Sequence, residues 1–311
     1  MSSIRRRHAA ASLDTPAVGG RHELGQNFLV DRGVCTRIAE VVSSTTAHPV
    51  LELGAGDGAI TRALVAANLP VTALELDPRR VRRLQRTFAD GVTVVHGDML
   101  RYDFGPYPHH VVSTVPFSIT TPLLRRLIGQ RFWHTAVLLV QWEVARKRAG
   151  VGGTTMLTAA SWPWYEFTLV ERVPKTSFDP VPSVDGGILV IERRSAPLLD
   201  DRCVGDYQNL VREVYTGPGR GLAAILRTRL PGREVDAWLR RERVDPAALP
   251  RDLKAGHWAS LYRLYREVGT RPAPAGRSVR ARPGSVGPDR SLPPRGLRSG
   301  PPRARRRGGG A

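Results

Sequence analysis

Cysteine is nearly absent from this chain of 311 residues: only Cys35 and Cys203 are present, far apart in sequence. Two such residues cannot form a disulfide framework, and no Cys/His spacing of a metal centre accompanies them, so a reducing cytoplasm and no metal are expected. No run of about 18 apolar residues occurs, which excludes a membrane-spanning helix by pattern. The cluster Arg5, Arg6 and Arg7 lacks the apolar stretch of a secretory signal behind it. Lysine is scarce too, with three residues (Lys147, Lys175, Lys254) among 47 basic ones. A GC-rich coding bias accounts for Arg over Lys. It does not account for the shortage of acid, 28 residues, which leaves a formal net charge of +19.

The charge sits unevenly. Residues 271–311 hold 11 Arg, 8 Pro and 8 Gly with a single acid, Asp289, and residues 1–21 hold four Arg against Asp14. Such segments bury too little apolar surface to offset their chain entropy, so a disordered basic arm over 1–21 and a disordered Arg/Pro/Gly-rich tail over 270–311 are expected. A polyanionic partner follows, nucleic acid ahead of a membrane surface.

Between the tails the pattern alternates. Val34, Ile38, Val41 and Val42 share a helical face, as do Ile60, Leu64 and Ala67, then Val81, Leu84 and Phe88, then Leu123, Leu124, Leu127 and Ile128. Short apolar runs at residues 50–53, 71–76, 92–96, 111–114 and 135–141 read as strands, with 165–173 and 188–191 as a closing pair. Repeated β-α-β units imply a parallel sheet covered on both faces, the Rossmann-like α/β class. Beyond residue 194 only helical periods remain. The expected organisation is a catalytic domain over 22–194 and a small all-helical domain over 195–269.

The stretch Glu52-Leu53-Gly54-Ala55-Gly56-Asp57-Gly58 follows the first of these strands and opens a helix. Glycines there admit a ligand close to the backbone, and the helix start offers free N–H groups. Glu75 closes the next strand, where a carboxylate can accept both hydroxyls of a ribose, from NAD or S-adenosylmethionine alike. Asp98 after the third strand can accept from an adenine amino group. Together with Glu52 it suits a cationic sulfonium better than an anionic pyrophosphate, which makes methyl transfer the leading chemistry.

Ser113-Thr114-Val115-Pro116-Phe117 lies at the fourth strand's tip. With Gly25-Gln26-Asn27-Phe28-Leu29, residues 52–58, Glu75, Gly97-Asp98 and Phe178-Asp179-Pro180-Val181-Pro182-Ser183-Val184, it makes a set whose order and spacing are specific. Over residues 22–193 the chain resembles the ribosomal RNA adenine-N6 methyltransferases, a group of class I fold that includes the Erm-type macrolide-resistance enzymes and the housekeeping 16S rRNA dimethyltransferases. Gln141 with Glu143-Val144-Ala145-Arg146-Lys147, and the Arg-rich tails, look more like the Erm-type branch. The resemblance implies that Asn27, Leu29, Gly54, Glu75, Asp98 and Thr114 contact S-adenosylmethionine. It implies a cytoplasmic monomer acting on one adenine of protein-free or precursor 23S rRNA, with resistance to macrolides, lincosamides and streptogramin B.

Thr114 departs from the family, which usually carries Asn there. An adenine amine is a poor nucleophile because its lone pair is delocalised into the ring. Two acceptors must hold its N–H bonds: the Thr114 hydroxyl and the Val115 carbonyl, left free by Pro116, fill those roles. A shorter acceptor than Asn lowers the rate or limits transfer to one methyl group. Phe117 is expected to stack on the extruded base, with Phe178 as a second face. Two rival readings are a 16S rRNA dimethyltransferase and a non-catalytic nucleic-acid-binding factor of the same fold; a nicotinamide dehydrogenase lacks an evident hydride-acceptor site. Deleting residues 270–311 is expected to weaken RNA binding and flatten its salt dependence while methyl transfer itself persists, checked by binding isotherms across a salt series.

Overall fold

The computed structural model describes residues 27–45 and 47–270. The basic arm, the tail, and Gly25 and Gln26 of the first motif lie outside the described residues. In chain order the elements are β1 (Phe28–Leu29), α1 (Arg32–Ser43), β2 (Val50–Leu53), α2 (Ala59–Ala66), β3 (Val71–Glu75), α3 (Pro78–Phe88), β4 (Val92–His96) and β5 (His109–Thr114). There follow α4 (Thr120–Gly129), β6 (Trp133–Gln141), α5 (Trp142–Arg148), α6 (Met156–Ala159), β7 (Tyr165–Val173), β8 (Phe178–Asp179) and β9 (Gly186–Arg193). The last four helices are α7 (Val204–Thr216), α8 (Leu222–Arg227), α9 (Gly232–Glu242) and α10 (Ala255–Thr270). No helix among the described residues is long and apolar enough to cross a membrane.

Seven strands form one sheet in the order β4-β3-β2-β5-β6-β9-β7. Pairings from β4 through β6 are parallel, and β9 runs antiparallel to both of its neighbours. The chain winds outward in one direction from β2 and in the other from β5. Their carboxyl ends therefore diverge at a switch point, the place where open α/β sheets hold ligands. A hydrogen bond from the Ser113 hydroxyl to the Leu53 carbonyl, 2.7 Å, ties the two strands there.

Side-chain alternation sends each strand into two cores. Leu51, Leu53, Val111, Ala136, Leu138, Val140, Leu189 and Ile191 join α4 and helices α7–α10 on one face. Val50, Val112, Val137, Leu139, Ile188 and Val190 join α1, α2 and the Leu84 side of α3 on the other. Both faces are covered, so the middle strands are buried along most of their length and read as short, largely apolar runs.

Helix starts are set by local chemistry. Asp31 caps α1, accepting from the Gly33 and Val34 amides, and Asp77 caps α3 ahead of Pro78. The helical segment α7–α10 shares the first core with the sheet. Tyr207 is fully buried and donates to the Ala159 carbonyl at 2.6 Å, while Trp164 meets its ring edge-on at 5.4 Å. Trp164 and Tyr165 pack in this core. Helix α9 was not anticipated: its Arg and Glu residues obscure the spacing of Val235, Trp238 and Leu239, all buried.

Candidate active site

A cleft of about 290 Å³ opens at the switch point. Its floor is the loop from Gly54 to Gly58, whose three glycines take φ of +76°, +55° and +79°. Left-handed backbone of this kind costs any other residue strain. Space is short as well: a Cβ on Gly54 would lie 2.8 Å from the Met99 side chain, and one on Gly58 2.8 Å from the Phe88 ring.

Glu75, at the end of β3, is 4% exposed. Its Oε2 accepts from the Gly56 amide at 2.7 Å, and its Oε1 from the Leu76 and Asp77 amides at 2.9 Å each. Most of the carboxylate's acceptor capacity is thus spent on backbone, leaving room for about one further donor such as a ribose hydroxyl. Asp98, on the opposite wall, accepts from the Leu100 amide at 2.8 Å through Oδ1, with Arg101 3.8 Å from Oδ2.

Glu52 lies beneath the loop and is 2% exposed. The Thr61 hydroxyl donates to its Oε2 at 2.6 Å. Burial pushes its carboxyl up to about 8; the Thr61 hydrogen bonds oppose this and the Glu75 charge adds to it. Burial thus favours the neutral form of this acid beneath the loop.

Asn27, Leu29, Gly54, Glu75, Asp98, Thr114, Val115, Phe117 and Phe178 all line this cleft. Thr114 sits opposite Leu139 in the β5–β6 register and is half-buried, and among the described residues its hydroxyl has no hydrogen-bond partner. Val115 is 2% exposed, so its side chain belongs to the core and only its backbone serves the site. No donor among the described residues engages the Val115 carbonyl. Phe117, in a short 3₁₀ turn, is half-buried. Phe178 is 3% exposed and packs near the Cβ positions of Gly186, so most of its ring is committed to the core even where it meets the cleft.

Three features were not read from sequence. Strands β1 and β8 pair antiparallel, Phe28 with Asp179 and Leu29 with Phe178, bringing two distant motifs together above the cleft. The Ser177 hydroxyl secures them, donating to Asp31 at 2.9 Å. Arg80 stacks over Phe28 at 4.0 Å and lies 3.8 Å from Asp57, closing one side. Two-residue strands leave no periodicity to find; the Arg-rich face of α3 was the available signal for Arg80.

The model of the family "Ribosomal RNA adenine dimethylase" matches residues 18–267. An rRNA adenine N-6-methyltransferase of Corynebacterium diphtheriae is 43% identical over 209 residues, covering 67% of this chain and 82% of the relative. One of Streptomyces fradiae is 36% identical over 258 residues, covering 81% of each. The crystal structure of the 23S rRNA methyltransferase ErmE superposes with a TM-score of 0.71 at 34% identity, over 78% of this chain and 100% of that one.

The folded protein holds the Glu52 proton more tightly than the unfolded chain, so this group's contribution to stability is lost as pH rises from about 4.5 towards 8. Glu52→Gln is expected to remove that decline, seen as a flatter melting temperature against pH than the wild type gives.

Proposed function

Because the chain belongs to the ribosomal RNA adenine dimethylase family, we propose that this rRNA adenine-N6 methyltransferase modifies one adenine of 23S rRNA, with S-adenosylmethionine as methyl donor. Protection against macrolides, lincosamides and streptogramin B follows from that target. The donor set of the cleft fits the cofactor: Glu52, Glu75 and Asp98 supply three carboxyl groups, and Arg80, its cation, is already engaged by Asp57 and the Phe28 ring. That balance favours a sulfonium with a ribose over a polyphosphate. When bound, the cofactor supplies an electrophilic methyl carbon.

Asn27, Leu29, Gly54, Glu75 and Asp98 form the cofactor's share of the site. The observation that carries the reading is the pair of unengaged acceptors at the β5 tip, the Thr114 hydroxyl and the Val115 carbonyl, beside Phe117. Each takes one N–H of the target amine, which draws the nitrogen out of conjugation and exposes its lone pair. Phe117 stacks on the extruded base, and Phe178, largely buried, lines the cleft without offering a full second face. No strong base is needed, because the amine becomes acidic once methylated.

The 23S reading is supported by the ErmE superposition at 34% identity. A 16S reading draws on a more distant match, a ribosomal RNA small subunit methyltransferase A of Synechococcus, 31% identical over 270 residues. A purely binding role would leave the buried Glu52 and the rim acceptors without purpose. The protein acts as a monomer on protein-free or precursor RNA.

Labelled methyl groups are expected to enter protein-free 23S rRNA at a single adenine mapped by primer extension, and not 16S rRNA; labelling of 16S alone would overturn the reading. Phe117→Ala should lower kcat/KM about 5- to 150-fold, the equivalent of about 1–3 kcal/mol for a stacked base. With Thr114 as the acceptor, monomethyladenine should dominate the mass spectrum of the product, and a dimethyladenine-dominated spectrum would refute that restriction.

A further inference from the structure

Helix α3 carries five arginines in eleven residues and no acid. Its inner face is Val81 and Leu84, both buried, with Phe88 packed beside Leu84. Two of the arginines are accounted for within the fold. Arg83 donates to the Asp57 carboxylate at 3.0 Å, and Arg80 lies 3.8 Å from the same carboxylate and over the Phe28 ring. The other three, Arg79, Arg82 and Arg86, stand at i, i+3 and i+7, on the face opposite the buried one, and all are exposed. Among the described residues none of the three has an ion pair, although Asp77 and Asp90 flank the helix. Arg86 donates only to the Arg82 carbonyl one turn back.

Such a stripe weakens the helix that bears it. Like charges three and four residues apart repel, and Arg79 sits in the first turn, where the helix dipole disfavours a cation. Coding bias puts arginine in place of lysine but does not withhold the acid. Helices α1, α5 and α9 each set one beside an arginine: Arg37–Glu40, Arg146–Glu143 and Arg241–Glu242. A partner with negative charge repeated along a line offsets the repulsion. From Arg79 to Arg86 the stripe rises roughly 10 Å at 1.5 Å per residue, which suits a phosphodiester strand better than a single phosphate. Guanidinium forks match phosphate oxygens. The flanks of the stripe, Gln85 and Thr87, are exposed and polar, without the apolar anchors that a membrane-surface helix buries.

Helix α3 starts where β3 ends, and Arg80 lines the cleft, so the stripe runs outward from the cofactor side of its mouth. In the sheet β3 lies two strands from β5, about 10 Å from the tip that receives the base. Leu84 belongs to the core on the sheet face opposite α7–α10, which separates this surface from the helical segment. We infer that the Arg79/Arg82/Arg86 face of α3 is a docking surface for the phosphate backbone of an RNA stem flanking the target adenine. It positions the RNA without reading its sequence, and it rests on the RNA reading above.

The test compares the full-length wild type with Arg79→Gln, Arg82→Gln, Arg86→Gln, the triple variant, and Arg131→Gln as a control at the amino edge of the sheet, an exposed arginine far from the cleft. Binding to a protein-free 23S rRNA transcript is measured across a salt series, alongside melting temperature and S-adenosylmethionine affinity. Each single α3 variant should make the slope of log affinity against log salt shallower by about 0.7 to 0.9, and the triple by about 2 to 3. The triple should lose about a hundredfold or more in RNA affinity, carried in methyl transfer by KM for RNA with kcat retained at saturation. Its melting temperature should not fall, because like charges are removed, and cofactor affinity should stay at the wild-type value. Arg131→Gln should leave the slope unchanged. A triple variant that keeps the wild-type slope overturns the surface alone, as does an Arg131→Gln effect equal to that of a single α3 variant. Wild-type RNA binding in the triple together with lost binding to anionic phospholipid vesicles would overturn it in favour of a membrane. A wild type without RNA affinity overturns the RNA reading itself.

Discussion

The site depends on one carboxylate. Glu75 collects three backbone N–H groups, one from the glycine loop and two from its own strand end, in a place almost closed to water. Charge-assisted bonds of this kind are about twice as strong as neutral ones. They hold Gly56 in its left-handed turn and so set the floor of the cleft. The loop in turn places Gly58 against Phe88 and Leu84, which orients α2 and α3. A role expected from sequence to face the ligand is thus largely turned inward to hold the backbone.

The opposite rim is built by withholding partners. At the β5 tip, Pro116 removes an N–H and the chain leaves the sheet in a short turn. The Val115 carbonyl then keeps an acceptor that a continuing strand would have used, beside the Thr114 hydroxyl. Burial of the Val115 side chain anchors this turn, so the acceptors stay fixed although nothing among the described residues bonds to them. Preorganised acceptors need no rearrangement when charge develops on a nitrogen.

Much of this was legible in the sequence. The run Val50–Leu53 is buried throughout because both sheet faces are covered there, and its bounds, like those of Val92–His96 at the sheet edge, match the structure. Residues 111–114 captured the carboxyl-terminal part of β5 and 188–191 the centre of β9, since the strands begin at His109–His110 and Gly186–Gly187, which carry no apolar signal. Helix α9 was hidden by Arg and Glu at five of its eleven positions around a buried tryptophan. The β1–β8 pair joins segments about 150 residues apart through two residues each, a contact no local pattern announces. Arg148 stood next to a stretch legible only as a family likeness. Its burial at the end of α5 depends on how that helix packs in the fold, which is a tertiary fact.

The helical segment is not hung on a free joint. Tyr207 bonds into α6, Trp164 meets its ring, and α7–α10 share one apolar cluster with the sheet. Swinging that segment would open a core, which close-packed interiors resist. The protein therefore behaves as a stiff jig, and whatever adjustment contact demands must come from the nucleic acid, by bending and by giving up a stacked base. Such a tool works best on strands still loose enough to yield.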